Sequence, residues 1–138
     1  MSGWAHFSHG ADMGVSASGA TPEEVFEQMA LGMTALVTDP AGIEPKDDVA
    51  IACEAPSVDL LLVDWLNALV YEMAVRRMVF GRFAVHLEGT RLRGVAGGER
   101  VEVGRHQPVV EVKGATYTAL KFGRRDDGGW EAQCVLDV

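Results

Sequence analysis

Two carboxylates near opposite ends of the chain are the first candidates for chemistry. Asp12 lies in Ser8-His9-Gly10-Ala11-Asp12-Met13-Gly14, a run holding a histidine, an acid and two glycines. Asp137 stands beside Val138, whose terminal carboxylate could add a third oxygen donor. Oxygen donors without soft ligands nearby suit a hard cation, Ca²⁺ first, with Mg²⁺ or Mn²⁺ behind it. The competing reading is that Asp12 hydrogen-bonds its own turn and Asp137 is a solvated charge. His9 is either a ligand or general base, or a group that supports the turn. Lys113 points out of a strand-like run and could pair with Glu111, with the Asp12 site or with an anion on a partner.

Other chemistries lack their residues. No second histidine stands at a zinc spacing, and there is no serine elbow, phosphate loop or dinucleotide fingerprint. The glycine-rich run from Gly94 to Gly98 lacks the following helix that phosphate binding needs. A stand-alone enzyme therefore has little support.

The elements that must position these residues follow from periodicity. Trp4–Ser8 and Met13–Ser18 alternate as two short strands, with the turn from His9 to Gly14 between them. Thr21-Pro22-Glu23-Glu24 predicts a helix start: Thr21 as N-cap, Pro22 at the first position, Glu24 closing a capping box. Val25, Phe26, Met29, Ala30, Met33, Leu36 and Val37 share one helical face. That helix ends near Thr38-Asp39-Pro40, because the residue before proline disfavours helical backbone. An acidic loop from Ala41 to Asp48 leads to a strand over Val49–Glu54.

Pro56-Ser57 opens a second helix that runs to about Met73 or Val75. It is apolar almost all round, so it is central and buried. Its narrow polar line, Asp64, Asn67 and Tyr71, must be hydrogen-bonded or face a site; Asn67 is read as fixing a neighbouring loop. Met78–Glu88 and Thr90–Ala96 alternate as strands. Gly97–Gln107, with Arg100, Arg105 and His106, reads as a mobile glycine-rich loop. Pro108–Gly114 and Ala115–Gly123 read as strands with a bend at Gly114. Arg124–Gly129 is a hairpin turn, and Trp130–Val138 is the last strand. Its Trp130, Ala132, Cys134 and Leu136 face inward; Asp137 faces away from the core. Short strands with two long helices predict an α+β layered sandwich, a mainly antiparallel sheet with the helices packed on it.

Composition narrows the class. The 138 residues suit one domain, residues 1–138, and 48% hydrophobic with 23% charged residues is a globular balance. A net charge of −8 argues against gripping a phosphate backbone, so no direct DNA binding is expected. The same charge is compatible with docking on a basic protein surface. No apolar run approaches the ~20 residues of a membrane span. The first residues, Met-Ser-Gly-Trp-Ala-His, have no signal-peptide character. Cys53 and Cys134, far apart in apolar runs, read as buried free thiols of a cytoplasmic protein.

Five stretches taken together are more specific than any one of them. They are His9-Gly10-Ala11-Asp12-Met13-Gly14, Thr38-Asp39-Pro40, Asp64-Trp65-Leu66-Asn67-Ala68-Leu69, Val112-Lys113-Gly114-Ala115-Thr116-Tyr117 and Leu136-Asp137-Val138. In this order and at this length the chain resembles the archease family almost end to end. The resemblance implies an accessory protein, not an enzyme, that activates a GTP-dependent RNA ligase of the RtcB type in tRNA splicing and RNA repair. It implies promotion of guanylylation of the ligase's active-site histidine, and with it multiple turnover. RNA would be reached only through the ligase, and no membrane is involved. The metal site would fall on Asp12, Asp137 and Val138, with Lys113 needed for activation and Asp39 and Asp64 as further matching positions. The implied fold is related to strand–helix–strand–strand modules. Two positions depart from the family: Gly10 stands where threonine is usual, and Thr118 where many members have histidine.

Two rival classes remain on the residues alone. A general chaperone or modulator of nucleic-acid enzymes would need a broad apolar patch and no metal. A metal-dependent hydrolase would need a pocket beside Asp12 and turnover in isolation.

Overall fold

The first helix begins where its capping residues put it. In the computed structural model, which describes residues 2–138, helix α1 spans Pro22–Val37. The Thr21 side chain accepts the Glu24 N–H at 3.2 Å, and the Glu24 carboxylate accepts the Ala20 N–H at 2.6 Å. The box thus closes one residue before the N-cap, still satisfying donors that the helix leaves unpaired. The helix stops at Thr38, ahead of a short 3₁₀ turn over Pro40–Gly42.

Helix α2 spans Val58–Arg76 and ends at Arg77 in the left-handed region, φ 54°. Eight strands complete the chain: β1 Gly3–His9, β2 Asp12–Gly19, β3 Asp47–Glu54, β4 Met78–Glu88, β5 Arg91–Arg100, β6 Gly114–Ala115, β7 Lys121–Arg124 and β8 Trp130–Asp137. A one-turn helix, α3, covers Val103–His106. The strands form two sheets in which every pair is antiparallel. The larger has the order β1-β2-β8-β6, with β7 also on β8; the smaller has the order β3-β5-β4.

One core serves both sheets. Val15, Phe26, Met29, Leu62, Trp65, Leu66, Cys134 and Leu136 belong to a single buried cluster. Each large apolar side chain buried there contributes on the order of 1.5–3 kcal/mol. Trp65 also donates its indole N–H to the Phe26 carbonyl at 3.1 Å, so its polar atom is not left orphaned. Both cysteines are free; Cys134 is buried, whereas Cys53 is only half-buried. Burial pushes the Cys134 thiol up to about 12, which makes it inert packing. Among the described residues, no helix is long and apolar enough to cross a membrane.

The glycines after Ala96 do not make a loop. β5 continues through Gly97 and Gly98 to Arg100, so Gly97–Gln107 is not the mobile segment that its composition suggests. A Cβ on Gly98 would lie 2.0 Å from the Val79 carbonyl oxygen. The glycine is there for close approach beside the β-bulge between Phe80 and Arg82. The expected strand over Pro108–Gly114 is also absent: only Gly114–Ala115 joins a ladder. Residues 107–113 cross between the sheets with no strand alongside to pair with, tied by Val109 N–H to the Val37 carbonyl at 2.9 Å. The run from Ala115 to Gly123 is broken too, by a turn with Ala119 at φ 54° before β7 starts.

What anchors this crossing is a buried charge cluster. Glu99 is 2% exposed. Its carboxylate accepts the Glu44 N–H at 2.6 Å, pairs with Arg105, and lies 3.6 Å from Lys46 Nζ. His106 Nδ1 accepts the Glu102 N–H at 2.8 Å, which leaves the neutral ring's proton on Nε2, 3.1 Å from Glu99. Thr38 Oγ1 donates to the His106 carbonyl and ties α3 to the end of α1. The Arg105 guanidinium first, then the Glu44 N–H, hold the Glu99 carboxyl down to about 2. A carboxyl depressed below its ordinary 4.5 contributes stability that is full above that value and lost as pH falls toward the folded one. Urea unfolding across pH should therefore show stability declining from about pH 4.5 to about pH 2. Glu99→Gln should be less stable at pH 7 and show a shallower decline in that window.

Candidate functional site

The site starts from a two-residue turn. Gly10 and Ala11 join β1 to β2, and His9 pairs with Asp12 across them. Gly10 has φ +61° and Ala11 does not share a positive φ, the pattern of a type II′ hairpin with glycine first. Threonine, usual at this position in the family that the chain resembles, would be strained in such a backbone. The glycine and the tight turn go together. The His9 ring is exposed and makes no hydrogen bond among the described residues, so His9 supports the turn through its backbone pairing with Asp12.

Strand register then brings the two acids together. The β2–β8 ladder runs to Met13 opposite Leu136, and one further step sets Asp12 beside Asp137. The Asp137 carbonyl accepts the Lys113 N–H at 2.8 Å, on the side away from β2. Asp12, for its part, is engaged with His9 in the hairpin. Continued one step, the register puts the two acids in a non-hydrogen-bonded position at the adjoining ends of β2 and β8, a position whose facing Cα atoms ordinarily lie ~4.5 Å apart. They share the sheet face opposite to Met13 and Leu136, which pack toward the core. Neither carboxylate has a hydrogen bond or an ion pair among the described residues. Like charges directly opposite cost roughly 0.2–1 kcal/mol, so the arrangement is not there for stability.

Lys113 immediately precedes the third strand of the row, β6. Gly114 pairs with Asp137, so the Lys113 backbone lies beside Val138, and its side chain lines a groove with Val37, Val70 and Val112. Its ammonium makes no ion pair among the described residues, neither with Glu111 nor with Asp12. The position of this segment is fixed from beneath. Asn67 on α2 donates to the Ala115 carbonyl at 3.2 Å and accepts the Ala115 N–H at 2.8 Å, the loop-fixing role that its place on the polar line suggests. Val138 packs on the core and holds the end of β8 in line.

The other matched positions lie elsewhere. Asp39 caps the 3₁₀ turn, accepting the Ala41 N–H at 3.0 Å. Asp64 is half-buried on α2 and faces Cys53, whose thiol is raised first by burial and then by that carboxylate. Thr118 sits in the turn before β7, its carbonyl accepting the Val135 N–H at 3.1 Å. Strand register brings the backbones of Asp12, Asp137 and Lys113 to one end of the larger sheet; Asp39 and Asp64 lie on other elements.

The donor set at the tip is chemically right for a hard cation and numerically small. Among the described residues, no group of three or more His, Cys, Asp or Glu side chains could hold a metal ion. Ca²⁺ takes six to eight oxygens and Mg²⁺ six, so two acids would hold a cation only with water or a second molecule supplying the rest.

Comparison with known proteins agrees with the fold. The sequence model of the Archease protein family matches residues 4–138. Protein archease of Pyrococcus furiosus is 37% identical, with 100% of both chains covered. Protein archease of Methanopyrus kandleri is 34% identical, covering 98% of this chain and 99% of its own. The solution structure of protein 1598 of Methanobacterium thermoautotrophicum superposes with a TM-score of 0.87 at 31% identity, covering 99% of each chain.

Relief of the Asp12–Asp137 repulsion is directly measurable. In chelator and low salt, Asp12→Asn and Asp137→Asn should each raise stability by about 0.2–1 kcal/mol. The gains should shrink in 0.5 M salt, and the double variant should be no more stable than either single one. Thermal melts of the four proteins check all three points.

Proposed function

This chain belongs to the archease family, and from that premise we propose that it activates a GTP-dependent RNA ligase of the RtcB type. Membership supports an accessory protein in tRNA processing. The finer reading is that it promotes guanylylation of the ligase's active-site histidine and so sustains multiple turnover. The observation that carries this reading is the placement of Asp12 and Asp137: two acids without a hydrogen bond or ion pair among the described residues, at the adjoining ends of β2 and β8.

In this reading Asp12 and Asp137 bind a divalent cation jointly with groups of the ligase. Such a cation, when bound, neutralises phosphate charge and aligns the groups that exchange a nucleotidyl unit. The remaining work falls to this chain's own residues. The turn at Gly10 presents Asp12 at the tip of a hairpin, and β8 holds Asp137 rigidly beside it. Lys113 offers its ammonium to a phosphate or a carboxylate of the partner. The net charge of −8 favours docking on a basic active-site mouth. Ca²⁺ is the first candidate, since few fixed protein ligands suit its flexible coordination; Mg²⁺ and Mn²⁺ follow.

A second reading has one observation behind it. A shallow groove of about 460 Å³ is lined by Val37, Val70, Met73, Val110 and Val112, with Glu111 and Lys113 at its border, and Val109 beside it is 78% exposed. A general chaperone would use such a surface without metal.

The deciding assay is stimulation of ligase guanylylation by purified protein, with and without chelator. Asp12→Ala and Asp137→Ala should fold with an unchanged circular dichroism spectrum and lose at least tenfold in stimulation. Lys113→Ala should lose a comparable amount. Full stimulation by the folded acid variants rules out the site, and metal-independent protection of unrelated client proteins favours the chaperone.

A further inference from the structure

The sheet edges of this protein are unequally protected. A free edge presents unpaired N–H and C=O groups, and proteins blunt such edges with charge, short strands or a covering element. β4 is covered by α1: Glu27 accepts the Val85 N–H at 2.9 Å, and Thr34 Oγ1 donates to the Phe80 carbonyl at 2.9 Å. β3 carries Asp47, Asp48 and Glu54. β6 and β7 are short. β1, Gly-Trp-Ala-His-Phe-Ser-His, is at the edge of the larger sheet and has none of these devices: no lysine, no acid, no proline, no bulge.

The direction of its backbone groups follows from the hairpin. His9 and Asp12 close the two-residue turn as a hydrogen-bonded pair, so Phe7, Ala5 and Gly3 also bond to β2. Trp4, His6 and Ser8 then turn their N–H and C=O groups outward. Among the described residues nothing pairs with those groups. The neighbouring side chains leave the edge open: Trp4 is 40% exposed, and the His6 ring is drawn under the sheet to the Gly32 carbonyl at 2.7 Å.

We propose that β1 pairs antiparallel with β1 of a second copy of this chain, about a two-fold axis through His6. The strand is complementary to itself in sequence. In that register Trp4 meets Ser8 of the partner subunit, His6 meets His6 of the partner subunit, and each of these facing pairs exchanges two backbone bonds. The side chains fit in the same register. Away from the axis each large residue faces a small one: Trp4 opposite serine, Phe7 opposite alanine, His9 opposite glycine; on the axis His6 faces its own copy, with its ring drawn to the Gly32 carbonyl. A slip of register removes this alternation. The interface is isologous and closes after two copies, as two-fold contacts do. It joins two five-stranded sheets into one and covers Trp4. With −8 on each copy, self-association strengthens as salt screens the repulsion.

The test uses the full chain without ligase. Sedimentation equilibrium from micromolar to near-millimolar protein should show a monomer–dimer equilibrium that tightens between 0.05 and 0.5 M salt. Amide hydrogen exchange should show the Trp4, His6 and Ser8 N–H groups becoming protected as concentration rises, while the Phe7 N–H is protected throughout. Ser8→Pro removes one outward donor that β2 does not use, and edge strands tolerate proline. It should weaken dimerisation at least tenfold with the circular dichroism spectrum unchanged. If Ser8→Pro fails to fold, the exchange pattern of the natural chain decides alone. A protein monomeric throughout with those three amides unprotected overturns the proposal. So does a dimer in which they stay unprotected, or one that folded Ser8→Pro leaves intact. Protection of the edge only on addition of ligase assigns it to that partner instead and also overturns it.

Discussion

The last strand of the chain is the middle of its larger sheet, and most of the architecture follows from that. β8 carries β2 on one side and both β6 and β7 on the other, so the sheet cannot form until the final residues are in place. Ala132, Cys134 and Leu136 on one face are buried while Glu131 and Asp137 on the other are exposed, so a one-residue shift would turn charge into the core, which fixes the strand against slippage. A strand locked in this way carries its terminal residues to a defined place. That place is the tip of the β1–β2 hairpin, and Asp137 arrives beside Asp12 with no latitude in register.

Such rigidity is what a pair of like charges requires. Left on flexible segments, two carboxylates would separate. Here backbone ladders hold the ends of β2 and β8 side by side, and Asn67 anchors the third strand of the row through Ala115. Under the function proposed above, two acids that leave most coordination positions open would suit a cation shared with a partner better than one caged by this chain alone.

A second buried electrostatic feature serves the fold instead of the tip. Glu99 gathers Arg105, His106, Lys46 and the Glu44 backbone around one carboxylate, tying the end of β5 to α3 and to the loop before β3. From there the chain must cross between the sheets, over residues that pair with no strand. The cluster fixes where that crossing starts, Val109 and Val37 hold its middle, and the Lys113 N–H bond to Asp137 fixes where it lands. The charged cluster and the acid pair are thus connected through the backbone of one segment.

Local chemistry is legible in the sequence wherever one residue type has one dominant use. Thr21 and Pro22 set the start of α1, Pro40 its end, the alternation over Met78–Glu88 a whole strand, and Arg124–Gly129 a hairpin. The phase of the last strand alone turns Asp137 away from the core, and the motif set marks both acids and Lys113. What the sequence leaves undecided, or points the wrong way on, depends on neighbours. Gly97 and Gly98 look like a loop because glycine has two uses, conformational freedom and close approach, and only the Val79 carbonyl beside Gly98 distinguishes them. Residues 108–113 have strand-like alternation but no strand beside them, and a strand exists only when paired. Glu99 is an ordinary surface residue until Arg105 and His106 fold back upon it. Which residues are acids, and which way their strands face, is written in the order of the residues. That β2 and β8 lie side by side, with Asp12 and Asp137 at their adjoining ends, is not, because a ladder between segments at opposite ends of the chain is set by the packing of everything between them.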